Sequence, residues 1–249
     1  MLPVVFVHGI RVSGTMWSPV RALLDRPSAA PDLPGHGTRR GLPFDLDAAC
    51  EVVADSIAEL GGRALVAGFS LGGYVGFATA ARYPARVAGL VAMGCTARPP
   101  RTIAGLYRRV GRIAARHAAT AEAVSRYGFR RALPGPMGEA IIEGGLTTEV
   151  IPSAVEAVAG SDPIAALAAY PGQVWLLNGS RDPFRADERR FLAACHDGTL
   201  AHLPGRGHLT MLADPGLVAR FVEKAARAAD GAGVEAATDV QRALPALLP

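Results

Sequence analysis

Gly68-Phe69-Ser70-Leu71-Gly72-Gly73 lies between an apolar strand-like run, Arg63 to Ala67, and a small-residue helix-like run, Gly73 to Tyr83. A serine held as G-x-S-x-G between a strand and a helix predicts a sharp reversal of the chain. Such a turn lifts the Ser70 hydroxyl clear of a sheet and sets it at the positive end of a helix. Gly68 and Gly72 leave room where a Cβ would meet the neighbouring strand and helix. The stretch alone is short enough to arise by accident in a glycine-rich chain. The reading therefore depends on whether an acid and a base follow at suitable places.

Upstream of this turn, Pro3 to Val7 (P-V-V-F-V) reads as a strand apolar on both faces, ending in His8-Gly9. Met16 to Leu24 has helical spacing, with Trp17, Val20, Leu23 and Leu24 on one face. Ser28 to Asp32 reads as a short strand running into the loop Asp32-Leu33-Pro34-Gly35-His36-Gly37. Leu46 to Leu60 is an amphipathic helix stopped by Gly61-Gly62. Val87 to Met93 is the next strand. The order β-α-β-α-β-α-β predicts an α/β fold, a mostly parallel open sheet with helices on both faces.

From Thr96 to Tyr170 the alternation stops and helix-like segments follow one another, broken at Pro99-Pro100, Pro134-Gly135-Pro136, Gly144-Gly145 and Pro152. This stretch, 96–170, reads as a helical cap inserted into a core formed by 1–95 and 171–229, with a weakly ordered tail over 230–249. Nine Arg and one acid, Glu122, lie between Arg98 and Arg131. Such a stretch is either a solvated helix face or a surface that attracts an anionic substrate or a carrier protein. The sheet resumes at Gln173 to Asn178. Arg185 to Cys195 reads as a helix, Thr199 to Leu203 as the last strand and Pro215 to Ala229 as the final helix.

A length of 249 residues fits one α/β domain with an insertion. The net charge of +4 is carried almost wholly by Arg, without a nucleic-acid-binding motif, which argues against a nucleic-acid partner. No apolar run approaches the ~20 residues of a membrane span, and no secretory leader is recognisable, so a cytoplasmic protein without a membrane partner is expected. Cys50, Cys95 and Cys195 form neither a disulfide framework nor a metal pattern.

A serine hydroxyl needs a base titrating near neutrality and a group to orient it. His208 stands in the Gly-rich loop after the last strand, and Asp182 in the loop after the strand before it. In a parallel sheet both loops emerge at the carboxyl edge that carries Ser70. Asp187 and Asp214 compete with Asp182 but fall in helix-like segments. Asp182 could also be a turn-capping aspartate before Pro183. The backbone N–H groups of Leu71 and Ile10 are the candidate oxyanion donors, since Gly9 lets the loop after the first strand curl. His8, Trp17, Cys95 and Leu209 are candidates for the pocket wall.

With V-F-V-H-G, D-L-P-G-H-G, G-F-S-L-G-G, N-G-S-R-D and G-R-G-H-L in this order, the chain resembles the α/β-hydrolase fold superfamily over nearly its whole length. It begins at the strand carrying His8-Gly9, without the two strands that precede it in much of the superfamily. That beginning is similar to the plant methyl-ester esterase and hydroxynitrile lyase branch. The resemblance implies a triad of Ser70, Asp182 and His208 and no metal or organic cofactor. Dehalogenases and epoxide hydrolases of this fold use Asp where this chain has Ser70. The lyases have Lys after the base and Thr at the position of Gly9, whereas this chain has Leu209 and Gly9. Prolyl aminopeptidases have Trp where Leu71 stands, and type II thioesterases more often have Met there.

The expectation is therefore a serine hydrolase that cleaves a small-molecule carboxylic ester. Thioester or lactone hydrolysis, acyl transfer and C–C cleavage with the same three residues remain open. So does a non-catalytic ligand receptor on the same fold.

Overall fold

The computed structural model of the protein describes residues 1–98, 105, 109 and 116–231. The expected weakly ordered tail beyond 231, and the part of the Arg-rich stretch between 99 and 115, lie outside these apart from the two single positions. Six strands form one sheet: β1 (Val4–Val7), β2 (Ser28–Ala29), β3 (Ala64–Phe69), β4 (Val87–Met93), β5 (Gln173–Gly179) and β6 (Asp197–Leu203). Their order is β2-β1-β3-β4-β5-β6, and every neighbouring pair is parallel. The chain leaves β1 toward β2, returns past it to β3, and then continues in the other direction. The switch in strand order thus falls between β1 and β3, where open α/β sheets hold their ligands.

Alternation along the strands divides the core into two layers. Val4 and Phe6 of β1 join Leu65, Ala67, Val91, Trp175 and Leu177 on one face, packed against Val218, Phe221, Val222 and Ala225. Those four belong to the last helix, α9 (Pro215–Ala229), capped by the Asp214 carboxylate accepting from Leu217 N–H. Val5 and Val7 join Val66, Leu90, Ala92, Val174 and Leu176 on the other face. That face is covered by α2 (Leu46–Glu59), α3 (Leu71–Arg82) and α8 (Glu188–Ala194). Each fully buried Val, Leu or Phe contributes about 1.5–3 kcal/mol, so a strand apolar on both faces is stable only when covered on both.

Between β4 and β5 the described residues form helices α4 (Ala118–Ala132), α5 (Pro136–Glu143), α6 (Ile151–Gly160) and α7 (Pro163–Ala169), and no strand. This group is tied to the loops after β1 and β2. Thr15 Oγ1 donates to Ala140 O, Thr147 N–H to Arg11 O, and Phe44 N–H to Ser153 Oγ. Helix α7 packs on α3 and α8, beside the sheet.

Several boundaries differ from the sequence reading. The helix expected over Met16–Leu24 is a 3-10 turn, Gly14–Trp17, followed by a single α-turn, α1 (Ser18–Arg21), with Pro19 in that turn. Leu23, expected on its buried face, is 54% exposed. The strand expected to reach Asp32 pairs only at Ser28 and Ala29, because Pro31 has no N–H for a ladder. The helix expected from Arg185 is interrupted, with a 3-10 turn at Pro183–Arg185 and α8 starting only after Asp187.

Candidate active site

The turn after β3 is as tight as its glycines imply. Ser70 adopts φ 53°, ψ −116°, and α3 starts at the next residue. Left-handed backbone at a non-glycine residue costs about 1 kcal/mol or more and persists only where its surroundings enforce it. Here Ser70 N–H is fixed to Met93 O at 2.8 Å. A Cβ on Gly68 would collide with the Gly72 carbonyl oxygen, and one on Gly72 with that of Val7. The two glycines thus allow β1, β3 and α3 to approach closely enough to force the reversal.

Two further loops reach the same edge and are laced together. Ser180 N–H donates to Leu203 O, Arg181 N–H to Arg206 O, and Gly205 N–H to Ser180 Oγ. This lacing brings Asp182, after β5, beside His208, after β6. Asp182 Oδ2 lies 2.9 Å from His208 Nδ1, and His208 Nε2 lies 3.1 Å from Ser70 Oγ. A carboxylate only accepts, so Nδ1 carries the proton, Nε2 presents its lone pair, and the serine hydroxyl donates to it. The imidazole retains some exposure, whereas the Asp182 side chain has none.

The second oxygen of Asp182 has its own partner: Oδ1 accepts Phe184 N–H at 2.8 Å. Asp182 therefore caps the Pro183–Arg185 turn with one oxygen and holds His208 with the other. One side chain thus makes both the turn-capping contact and the contact with the histidine. The Phe184 ring lies 4.5 Å from the imidazole and the Phe69 ring 4.8 Å, so aromatic surfaces restrict its rotation. Nothing in the sequence singled out Phe184; the only signal was its place two residues after the acid.

Leu71 N–H, at the first position of α3, and Ile10 N–H, after β1, have no acceptor among the described residues. Both are therefore donors free to take up a ligand.

Behind the acid, a polar cluster fixes the loop. Arg185 chelates Glu188 at 2.6 and 3.0 Å and donates to Ser180 O at 2.8 Å. Glu188 Oε2 also accepts from Asn178 Nδ2 at 3.0 Å and meets His202 Nε2 at 2.9 Å. The hydrogen bond from Arg185, more than any other contact, pulls the Glu188 carboxyl down to about 2. Asn178 makes a further bond to Thr96 Oγ1, which ties the end of β5 to the chain leaving β4.

Three expected pocket residues lie in the interior instead. His8 is fully buried, with Nδ1–H donating to Gly9 O at 2.8 Å and Nε2 accepting Leu33 N–H at 3.0 Å. It pins the loop after β2 to the loop after β1. Burial first, and the His36 ring second, push its pKa down to about 3. Trp17 is buried against Phe6, ring centroids 5.0 Å apart. Cys95 is buried with its sulfur where a Cβ on Gly73 would stand. His8 is held inward by backbone groups on both ring nitrogens, and Trp17 and Cys95 by apolar packing in the two core layers. Leu209, half-buried after His208, packs against the core.

The competing acids do other work: Asp214 caps α9, and Asp187 accepts Arg98 N–H. Of the histidines, only His208 bonds Ser70. His36 donates to Pro34 O, His196 meets Ala168 O, and His117 stands exposed before α4. Among the described residues no three His, Cys, Asp or Glu side chains converge as a metal-binding set.

The model of the alpha/beta hydrolase family matches residues 4–221 of this chain. The pimeloyl-[acyl-carrier protein] methyl ester esterase of Nitrosomonas europaea is 39% identical over 95 residues. That match covers 37% of this chain, and the chain spans 36% of that relative's length. A thermophilic esterase from Thermogutta terrifontis, solved with malate bound, is 25% identical with a TM-score of 0.77, covering 92% of this chain and 90% of its own. The enol-lactonase of Burkholderia xenovorans is 17% identical with a TM-score of 0.72, covering 89% of each chain. At that identity the likeness is one of fold alone.

Proposed function

This chain belongs to the alpha/beta hydrolase family, and we propose that it is a carboxylic-ester hydrolase acting through an acyl-enzyme at Ser70. The observation that carries the reading is the unbroken chain of bonds from Asp182 through His208 to a serine held in left-handed backbone. Ser70 Oγ attacks the ester carbon while its proton passes to His208 Nε2. Asp182 holds the Nδ1–H and stabilises the imidazolium. The carbonyl oxygen, now an oxyanion, accepts from Leu71 N–H and Ile10 N–H. On collapse His208 returns the proton to the departing alkoxide, and water repeats the attack on the acyl-enzyme. Helices α4–α6 form the cap that shields the site and selects the acyl group.

Turnover of p-nitrophenyl esters from acetate to laurate by the wild type and by Ser70→Ala tests this reading. Hydrolysis that Ser70→Ala abolishes upholds it, and the best chain length sizes the pocket. Hydrolysis that survives in Ser70→Ala sinks it.

A carrier-bound ester is the second reading. It is favoured by the relative whose substrate is an acyl-carrier-protein ester and by the Arg-rich stretch, of which Arg109, Arg116 and Arg131 are exposed. A methyl ester on an acidic carrier should then be cleaved faster than the free acid's methyl ester, with an advantage that fades in high salt. Equal rates would remove the carrier from the account.

A further inference from the structure

Among the described residues two non-glycine residues have positive φ, Ser70 at 53° and Arg11 at 70°. The first belongs to the site above. The second follows directly on Ile10, whose N–H is one of the two free donors. A glycine at position 11 would adopt that backbone without strain, so the arginine side chain is kept there against a conformational cost.

Most other sheltered arginines have an acid, and Arg21, which lacks one, makes two bonds to Ser28, at 3.1 Å to Oγ and 2.8 Å to the carbonyl. Arg26 is chelated by Glu223, Arg185 by Glu188, and Arg126 is paired with Glu122. Arg11 has no carboxylate partner among the described residues. It lies over the Phe129 ring of α4 at 5.6 Å and makes one long bond, 3.3 Å, to Ser125 Oγ. Its own carbonyl accepts Thr147 N–H at 2.8 Å, which fixes the backbone under the guanidinium. The sequence between Glu59 and Glu122 contains no acid at all, so the stretch leading into α4 supplies none. A half-buried cation without an anion is costly, and burial alone pushes the Arg11 guanidinium below its usual range.

We infer that Arg11 is the docking point for a carboxylate carried by the substrate, at the end away from the ester bond held at Ser70. A single planar guanidinium against an aromatic ring suits a singly charged, planar anion, which it can grip with two parallel N–H bonds. Adjacent Cα atoms are about 3.8 Å apart, so the guanidinium, one side chain beyond the Arg11 Cα, lies within roughly 11 Å of Ile10, a span that a short dicarboxylic chain and its ion pair can bridge. The substrate class is then a monoester of a short dicarboxylic acid. The inference rests on the ester-hydrolase reading, since it places the reacting carbonyl at Ser70.

The test compares monomethyl esters of succinic, glutaric and adipic acids with methyl butyrate, valerate and caproate, by proton release. In the wild type the carboxylate esters should be preferred in kcat/KM. In Arg11→Met the loss on the best carboxylate ester should exceed the loss on its neutral counterpart by roughly tenfold or more, chiefly in KM, and Arg11→Lys should restore part of it. Equal losses on both series, or no preference in the wild type, would overturn the inference while leaving the triad intact. Should no ester of either series be hydrolysed, the hydrolase reading is left to the p-nitrophenyl esters. The anchor is then read by calorimetric titration of monomethyl glutarate into Ser70→Ala and Ser70→Ala/Arg11→Met. Saturable binding lost with Arg11 upholds it, and no binding, or equal binding, overturns it.

Discussion

Replacing Asp182 by Asn separates its two duties, because each oxygen has a different partner. In the native site Oδ1 accepts Phe184 N–H and Oδ2 accepts His208 Nδ1–H. An asparagine that keeps its oxygen toward Phe184 points its NH2 at Nδ1. The imidazole must then move its proton to Nε2, where it faces Ser70 Oγ as a donor and cannot take the serine proton. The opposite rotamer keeps the correct tautomer but sets NH2 against Phe184 N–H, two donors facing each other at a side chain with no exposure. An unsatisfied buried donor costs about 1–3 kcal/mol, equivalent to roughly five- to 150-fold in population. That sets the smallest loss. The largest is about 10⁴-fold, the measured effect of the same change in a serine protease. Asp182→Asn should therefore keep its melting temperature within a few degrees while kcat on p-nitrophenyl butyrate falls between these limits. A folded variant with more than half the wild-type kcat would refute the assignment of Asp182 as the group that orients His208.

Three other outcomes follow from the packing and the charges. Gly72→Ala drives a methyl into the Val7 carbonyl and should destabilise by about 1–3 kcal/mol or more in urea unfolding. Gly128→Ala, in open space within α4, should stabilise by about 0.5–1 kcal/mol, and equal effects would contradict the close-approach argument. Glu223→Gln leaves the buried Arg26 guanidinium, whose side chain is 3% exposed, without its anion and should cost about 3–5 kcal/mol. A loss below about 0.5 kcal/mol would show the pair to be passive. His8 and His36 are held neutral with depressed pKa values, His8 at about 3. Their contribution is present above the unfolded value near 6.5 and is lost as pH falls, because only the unfolded chain takes up the protons. From about pH 6 to pH 5 the His8 share alone removes about 1 kcal/mol, before carboxylates titrate. A melting temperature that stays flat over that interval would contradict the buried-histidine account.

The features legible in the sequence were those with local causes. Strands apolar on both faces, the glycines around Ser70 and the turn residues after β5 and β6 each announce a backbone geometry without reference to distant residues. Parallel strands then bring Ser70, Asp182 and His208 to one edge. What escaped was settled by long-range partners. His8 reads as a pocket residue until Leu33 N–H, 25 positions on, is seen to occupy its Nε2. Trp17 and Cys95 reads depended on which way a short segment turns, and the 3-10 turn at Gly14–Trp17 carries Trp17 under Phe6. Arg11 gave no signal at all. Its interest lies in a positive φ and in the absence of a counter-charge, neither of which has a sequence pattern.

The central claim, that Ser70 is a nucleophile activated by His208, is tested most directly with a fluorophosphonate and intact-protein mass measurement. The account predicts one adduct, mapped to Ser70, absent in Ser70→Ala and formed at least about a hundredfold more slowly in His208→Ala. An unmodified wild type, or an adduct on any residue other than Ser70, would contradict it.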